Sequence, residues 1–150
     1  MATERPLTNQ VLETKNEGPR YEETSQGIKV ILPAWEIEKA IKLIPIGRIV
    51  TLDALRTYLA FRNRAFYTDV SSTISALRLI AAANEEREGE FPVPYWRVIK
   101  ANGSLLDDMP GGDGVQKQRL EEEGHVILGI EDDYYLRDFT NHAKQFNFLG

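Results

Sequence analysis

The 150-residue chain has no cysteine, which removes disulfides, thiolate nucleophiles and every cysteine-containing zinc site. Histidine is nearly as scarce: His125 and His142 alone cannot assemble a metal site, so no metal or other cofactor is expected. Long hydrophobic runs are missing too. No window approaches the roughly 18 to 20 apolar residues that span a bilayer, and residues 1–10 are polar rather than built like a signal peptide. A cytoplasmic protein without a membrane partner is expected. An excess of positive charge is also lacking, since 18 Lys and Arg against 23 Asp and Glu leave a net charge of -5. Phosphate neutralisation by Lys and Arg dominates non-specific nucleic-acid affinity, so this balance argues against strong non-specific binding without excluding a local basic face.

What is present is an ordinary globular composition, 42% hydrophobic and 27% charged, at a length that suits one core. Residues 51–100 hold seven basic residues (Arg56, Arg62, Arg64, Arg78, Arg87, Arg97, Lys100) against six acidic ones, whereas residues 101–150 hold four against ten. The central stretch is the better DNA-facing candidate. Residues 1–27, with scattered Gly, Pro and polar side chains and no sustained period, are expected to be a flexible N-terminal arm, at most partly docked. A domain of residues 28–150 follows.

From Ala34 the apolar residues Trp35, Ile37, Ala40, Ile41 and Ile44 fall at helical spacing, and Pro45 and Gly47 stop that helix. Thr51 is placed to cap a second helix over about residues 53–60, with Leu52, Ala54, Leu55, Tyr58 and Leu59 on its buried side. A basic, aromatic connector from Phe61 to Phe66 leads to a third helix that begins near Asp69, with Val70, Ile74, Leu77, Ile80 and Ala81 facing the core. Residues 84–90 form a charged, solvated loop. Residues 94–103 pass from Pro94, Tyr95, Trp96 and Arg97 through Val98 and Ile99 to Asn102-Gly103, a hairpin signal because both turn residues tolerate positive φ. After a Gly- and Asp-rich loop, residues 116–123 form a helix ended by Gly124, and residues 126–130 and 134–136 two short strands. Two helices, a connector and a hairpin make an α+β fold, a mostly helical winged helix-turn-helix domain with a short β-hairpin wing.

Three ordered segments carry a resemblance: Ile44-Pro45-Ile46-Gly47-Arg48-Ile49-Val50-Thr51, Pro94-Tyr95-Trp96-Arg97-Val98, and residues 116–124. The chain resembles the alkylguanine-DNA alkyltransferases, whose Pro-Cys-His-Arg-Val motif holds the alkyl-accepting cysteine. Tyr95 stands at that cysteine and Trp96 at the histidine, so the resemblance implies a protein without alkyl-transfer activity. It is similar to the alkyltransferase-like group, in which an aromatic residue replaces the cysteine and alkylated bases are recognised without repair. The resemblance further places Leu52 at the family's nucleotide-rotating tyrosine, Ser71 at the arginine that fills the flipped base's place, and Ile74 and Ser75 at small glycines of the recognition helix. Glu123 alone keeps its place in the family's Cys-His-Glu relay, and is expected to be a helix-end carboxylate.

The resemblance implies double-stranded DNA, alkylated or not, as partner, approached through the minor groove. The lesion pocket would be lined by Tyr95, Trp96, Pro94 and Leu52. Candidate DNA contacts are Thr51, Arg62, Arg64, Ser71, Ser72, Thr73, Ser75, Arg78, Arg97, Lys100 and Asn102. Aromatic stacking, worth roughly 1 to 3 kcal/mol per base, would have to offset a flipping cost of a few kcal/mol. Each residue also has a structural reading: Tyr95 and Trp96 as core filling, Arg97 as a partner of carbonyls or a carboxylate, Thr51 as a cap, the serines as a solvated helix face. The competing class is a degenerate winged-helix module that binds a protein or a purine-like small molecule. An enzyme fits least, since no nucleophile–base pair is present.

Overall fold

Pro45 lacks an N–H and its ring collides with the carbonyl four residues back, which is that of Ile41. In the computed structural model, which describes residues 7–86 and 92–139, the helix α2 (Ala34–Ile41) ends at that residue. Ala34, Ile37, Ala40 and Ile41 are buried on its inner face. Thr51 caps α3 (Leu52–Arg62) as expected, its hydroxyl accepting the Ala54 N–H at 3.1 Å. The inner stripe of α3 is Leu55, Leu59 and Ala60; Ala54 is exposed, because one residue's step of about 100° carries it off the Leu55–Leu59 line. Asp69 caps the 17-residue α4 (Val70–Glu86), taking the Ser72 N–H at 2.9 Å. Leu77, Ile80 and Ala81 are buried there, whereas Val70 in the first turn is 45% exposed and Ile74 only half-buried.

The reading of the first 27 residues as a flexible arm is corrected from residue 7 onward. Helix α1 (Leu7–Glu13) packs on α4 with Val11 fully buried, and a 3-10 turn (Thr14–Asn16) follows. The Thr14 hydroxyl donates to Val11 O (2.7 Å) and accepts the Trp35 N–H (2.9 Å), tying this segment to the start of α2. Strands β1 (Arg20–Thr24) and β2 (Gly27–Ile31) form an antiparallel hairpin, and β4 (Tyr67–Thr68) joins β2 in parallel. Residues 20–23 of β1 are all exposed, so this edge strand shows none of the alternation that marks a half-buried one.

The expected wing is corrected as well. Tyr95–Arg97 is a 3-10 turn, and β5 (Val98–Ile99) pairs in parallel with β3 (Val50–Thr51). The turn at Asn102-Gly103 does form: the Gly103 N–H donates to Lys100 O and the Lys100 N–H to Ser104 O, both at 2.9 Å, with Gly103 at φ 91°. The returning chain, however, bridges Tyr135 through Ser104 instead of pairing with β5. Two consecutive fully buried β-branched residues, Val98 and Ile99, mark a strand covered on both faces rather than one arm of an exposed hairpin.

Helix α5 (Asp113–Glu122) starts three residues earlier than expected and ends before Gly124, at φ 91°. Its Gln116 is completely buried: Oε1 accepts the Leu106 N–H (2.9 Å), and Nε2 donates to Trp96 O (3.2 Å) and Val98 O (2.9 Å). The last hairpin, β6 (Ile127–Leu128) with β7 (Tyr135–Leu136), turns around residues 131–133 as expected. Among the described residues no helix is long and apolar enough to cross a membrane. His142 and residues 87–90 lie outside the described residues, while residues 84–86, expected in a solvated loop, are the end of α4, with Asn84 buried and accepting the Val93 N–H at 2.6 Å.

Candidate nucleic-acid interface

Tyr95 and Trp96 are 1% and 6% exposed, their rings edge to face with centroids 5.6 Å apart. Each ring's polar atom finds a carboxylate. The Tyr95 hydroxyl donates to Glu85 Oε1 (3.1 Å), and Arg119 closes on the same carboxylate at 2.9 Å. Burial pushes the Tyr95 hydroxyl pKa well above its usual range, and the neighbouring Glu85 pushes it further. Trp96 Nε1 donates to Glu123 Oε2 at 2.8 Å, and the Arg97 and Arg119 guanidiniums sit 5.6 and 5.4 Å from the indole ring centroid.

Glu123 is therefore more than a helix-end carboxylate. It also takes Arg97 Nε (2.9 Å) and Nη2 (2.7 Å) in a forked pair, together with the Gly47 N–H (3.3 Å). Arg97 completes its set by donating Nη1 to Ile44 O at 2.6 Å. Burial alone would raise the Glu123 pKa, but hydrogen bonds from Arg97 and Trp96 outweigh it and hold the carboxyl below its usual range. This closed network joins all three resemblance segments, at Gly47, Trp96–Arg97 and Glu123. It locks the positions of the expected lesion pocket into the core, with Pro94 buried beside them and Leu52 partly buried at the head of α3.

The other candidates divide by exposure. Thr73 is buried, its hydroxyl donating to Asp69 O at 2.6 Å, so it does not face a partner. Ser71 and Ser75 are exposed on the first turns of α4, with Ser72 half-buried between them. Lys100 pairs with Asp107, Arg78 lies 3.8 Å from Asp108, and Asn102 accepts the Ser104 N–H at 3.0 Å. Arg62 and Arg64 are exposed, and among the described residues no carboxylate pairs with either. The structure thus gathers Tyr95, Trp96, Arg97 and Pro94 inside, and leaves Arg62, Arg64, Ser71 and Ser75 on the surface.

Residues 39–68 carry six cations (Lys39, Lys42, Arg48, Arg56, Arg62, Arg64) and one carboxylate, Asp53, within a chain of net charge -5; Lys39 and Lys42 pair with Glu36 and Glu38 just before it, each at 3.3 Å. Counting over residues 51–100 dilutes this stretch with Asp69 and the four glutamates of residues 85–90. It spans the end of α2, all of α3 and the connector to β4. Two clefts flank α3: one of about 330 Å³ lined by Glu36, Lys39, Leu43, Tyr58 and Arg62, the other of about 310 Å³ lined by Asp53, Arg56, Phe66 and Thr68. Arg56 is committed to the fold, donating to the Thr68 hydroxyl (3.0 Å) and carbonyl (2.8 Å).

The family model described as 6-O-methylguanine DNA methyltransferase, DNA binding domain, matches residues 34–125. The chain belongs to that family. Two solved structures share the fold: S. pombe Atl1 in complex with damaged DNA containing O6-carboxymethylguanine, and S. pombe ATL in complex with DNA. Each is 24% identical, covers 73% of this chain and 91% of its own, and superposes with a TM-score of 0.52. No curated protein sequence matches the chain. The methyltransferase-family match runs from α2 through the end of α5, so α1 and the β1–β2 hairpin lie outside it. Glu85, Arg119 and Gln116, which close the buried network, were not among the expected site residues. The signal for Gln116 and Arg119 was their place on the tail helix, three residues apart and hence on one helical side.

Proposed function

We propose that the chain is a non-catalytic, duplex-DNA-binding protein of the alkyltransferase-like type that senses alkylated guanine. The observation that supports this best is the concentration of positive charge on residues 39–68, around the helix pair of a family DNA-binding domain, in an otherwise acidic chain. Arg62 and Arg64 meet phosphates, and Ser71 and Ser75 approach the minor groove from the first turns of α4. An alkylated base would be received at Tyr95 and Trp96 by stacking, in place of the chemistry a cysteine performs in relatives that have one. The S. pombe proteins, of the same fold, are seen with damaged DNA and with DNA.

The 1% exposure of Tyr95 favours a second reading, in which the pocket positions have become core and the domain binds without extruding a base, or binds a protein instead. Titration of a duplex carrying O6-alkylguanine, and of its guanine counterpart, at two salt concentrations separates the two. Lesion sensing requires tighter binding to the alkylated duplex and a change in that preference in Tyr95→Phe, which keeps the ring and removes only the hydroxyl's bond to Glu85. Equal affinity for both duplexes supports the second reading, and absence of binding to either at low salt removes the DNA-binding proposal.

A further inference from the structure

Phe61 and Phe66 are 66% and 78% exposed, at the two ends of the connector that holds Arg62, Asn63, Arg64 and Ala65. Single exposed apolar side chains are ordinary. These two stand on a tethered frame. The Arg64 N–H donates to Phe61 O (3.2 Å) and the Ala65 N–H to Ala60 O (2.9 Å), folding the connector back on the end of α3. The Tyr21 hydroxyl reaches from β1 to Asn63 O (2.9 Å), and the Phe66 N–H donates to Ile28 O (2.8 Å). Against the Phe66 ring lies Gly27, where an added Cβ would come within 2.6 Å of two ring atoms. Backbone support of this kind positions an aromatic ring before any partner arrives, which lowers the ordering cost of binding.

Charge selects the occupant. From Ala54 to Thr68 there are three arginines and no carboxylate, and two of those arginines, Arg62 and Arg64, stay unpaired among the described residues. An aromatic pair framed by free guanidiniums suits a partner that is both polyanionic and faced with stacked rings. The geometry points to residues 61–66 as an aromatic wedge for duplex DNA, with Arg62 and Arg64 on phosphates and Phe66, backed by Gly27, stacked against bases at an opened step. This rests on the DNA-binding reading above and adds to it a side chain that occupies the gap, a task Ser71 is too small to perform. Apolar wedges at unstacked steps are an established physical device of minor-groove binding.

The test uses the full chain and an undamaged duplex with 2-aminopurine at its centre, read by anisotropy for affinity and by 2-aminopurine emission for unstacking. The wild-type chain should raise the emission on binding. Phe66→Ala should weaken binding by roughly 5- to 150-fold, the span that base–aromatic stacking corresponds to, and abolish the rise. Phe66→Leu, which keeps an apolar wedge, should retain part of both signals, and Phe61→Ala should show a smaller loss of each. Arg64→Gln should lower the slope of log affinity against log salt by about one and keep the emission rise. A Phe61→Ala, Phe66→Ala double variant that melts like wild type and matches its affinity and emission overturns the wedge while leaving DNA binding intact. The same result joined to altered sedimentation assigns the patch to a protein contact, and also overturns it. A wild-type chain that binds no duplex at low salt overturns the wedge and the proposed function together.

Discussion

Two clusters in this molecule have nearly the same composition and opposite fates. Tyr95, Trp96, Arg97 and Arg119 are aromatic and basic, and so are Phe61, Arg62, Arg64 and Phe66. In the first, the phenol and indole donors and both guanidiniums end on Glu85 or Glu123, with Ile44 O taking the remaining Arg97 contact. In the second, the rings are exposed and the guanidiniums have no carboxylate among the described residues. Aromatic and basic side chains side by side therefore do not by themselves mark a binding surface. What separates a surface from a core is whether the charged groups already hold partners within the fold, because a guanidinium kept on a carboxylate of the chain is not available to a phosphate.

The largest way to break this contrast is at Glu123. The Arg97 and Glu123 side chains are only 13% and 7% exposed, so Glu123→Ala leaves a buried guanidinium held by one carbonyl and a buried indole N–H without its acceptor. Removing one partner of a buried pair costs about 3–5 kcal/mol, a loss that urea denaturation at neutral pH would register directly. A change below about 1 kcal/mol would mean the network is not closed in solution, and the two clusters would no longer differ in kind. Tyr95→Phe is gentler. It deletes one hydrogen bond while Arg119 keeps Glu85 paired, and should cost about 1 kcal/mol in the same measurement.

The buried cluster was half legible in the sequence, and the reason is one of range. Local devices showed clearly: the Thr51 cap, the Pro45 stop and the Gly124 end each act within a few residues. The helical spacing of apolar residues showed α2, α3 and α4, and the tail segment showed α5. The partners of Tyr95 and Trp96 are 10 to 27 residues away, and nothing in the pattern around Glu85 or Glu123 says which donor each carboxylate receives. Residues 7–24 were missed for a different reason. Helix α1 is short and the edge strand β1 faces water along its length, so neither gives a sustained hydrophobic period. The Asn102-Gly103 turn was right locally, but a turn does not specify which strand the returning chain will meet.

Asp69, at the junction of the exposed connector and α4, sharpens the contrast from the other side. Hydrogen bonds from Ser72, backbone first and hydroxyl second, and then from Lys29 at 3.1 Å, lower its pKa from 3.8 to about 2. A depressed carboxylate pKa contributes stability that is present above about pH 4 and lost as the pH falls through 2. Because the site is partly solvated, the contribution should be about 1 kcal/mol, typical of a helix cap. Asp69→Ala should therefore be less stable than wild type at neutral pH by that amount, with the gap closing between pH 4 and 2 in acid denaturation curves. A gap that persists at pH 2 would locate the effect in packing instead of the cap.

The smallest expected effect on stability belongs to Arg62 and Arg64, and its smallness is what makes it informative. Neither side chain contributes an ion pair to the fold among the described residues, so Arg62→Gln and Arg64→Gln should each stay within about 0.5 kcal/mol of wild type in thermal melts. Arg64 sits at φ 57°, a conformation costly for a side-chain-bearing residue, so Arg64→Gly should be neutral or up to about 1 kcal/mol stabilising while still removing the charge. On duplex DNA each of these changes should lower the salt slope by about 0.9, the count of one phosphate contact. Arg97→Gln should do the reverse, lowering the melting temperature sharply while leaving the slope of the folded fraction unchanged. Slopes reduced equally by Arg97→Gln and Arg64→Gln would put DNA on both clusters, because a guanidinium can release counterions only where it reaches a phosphate.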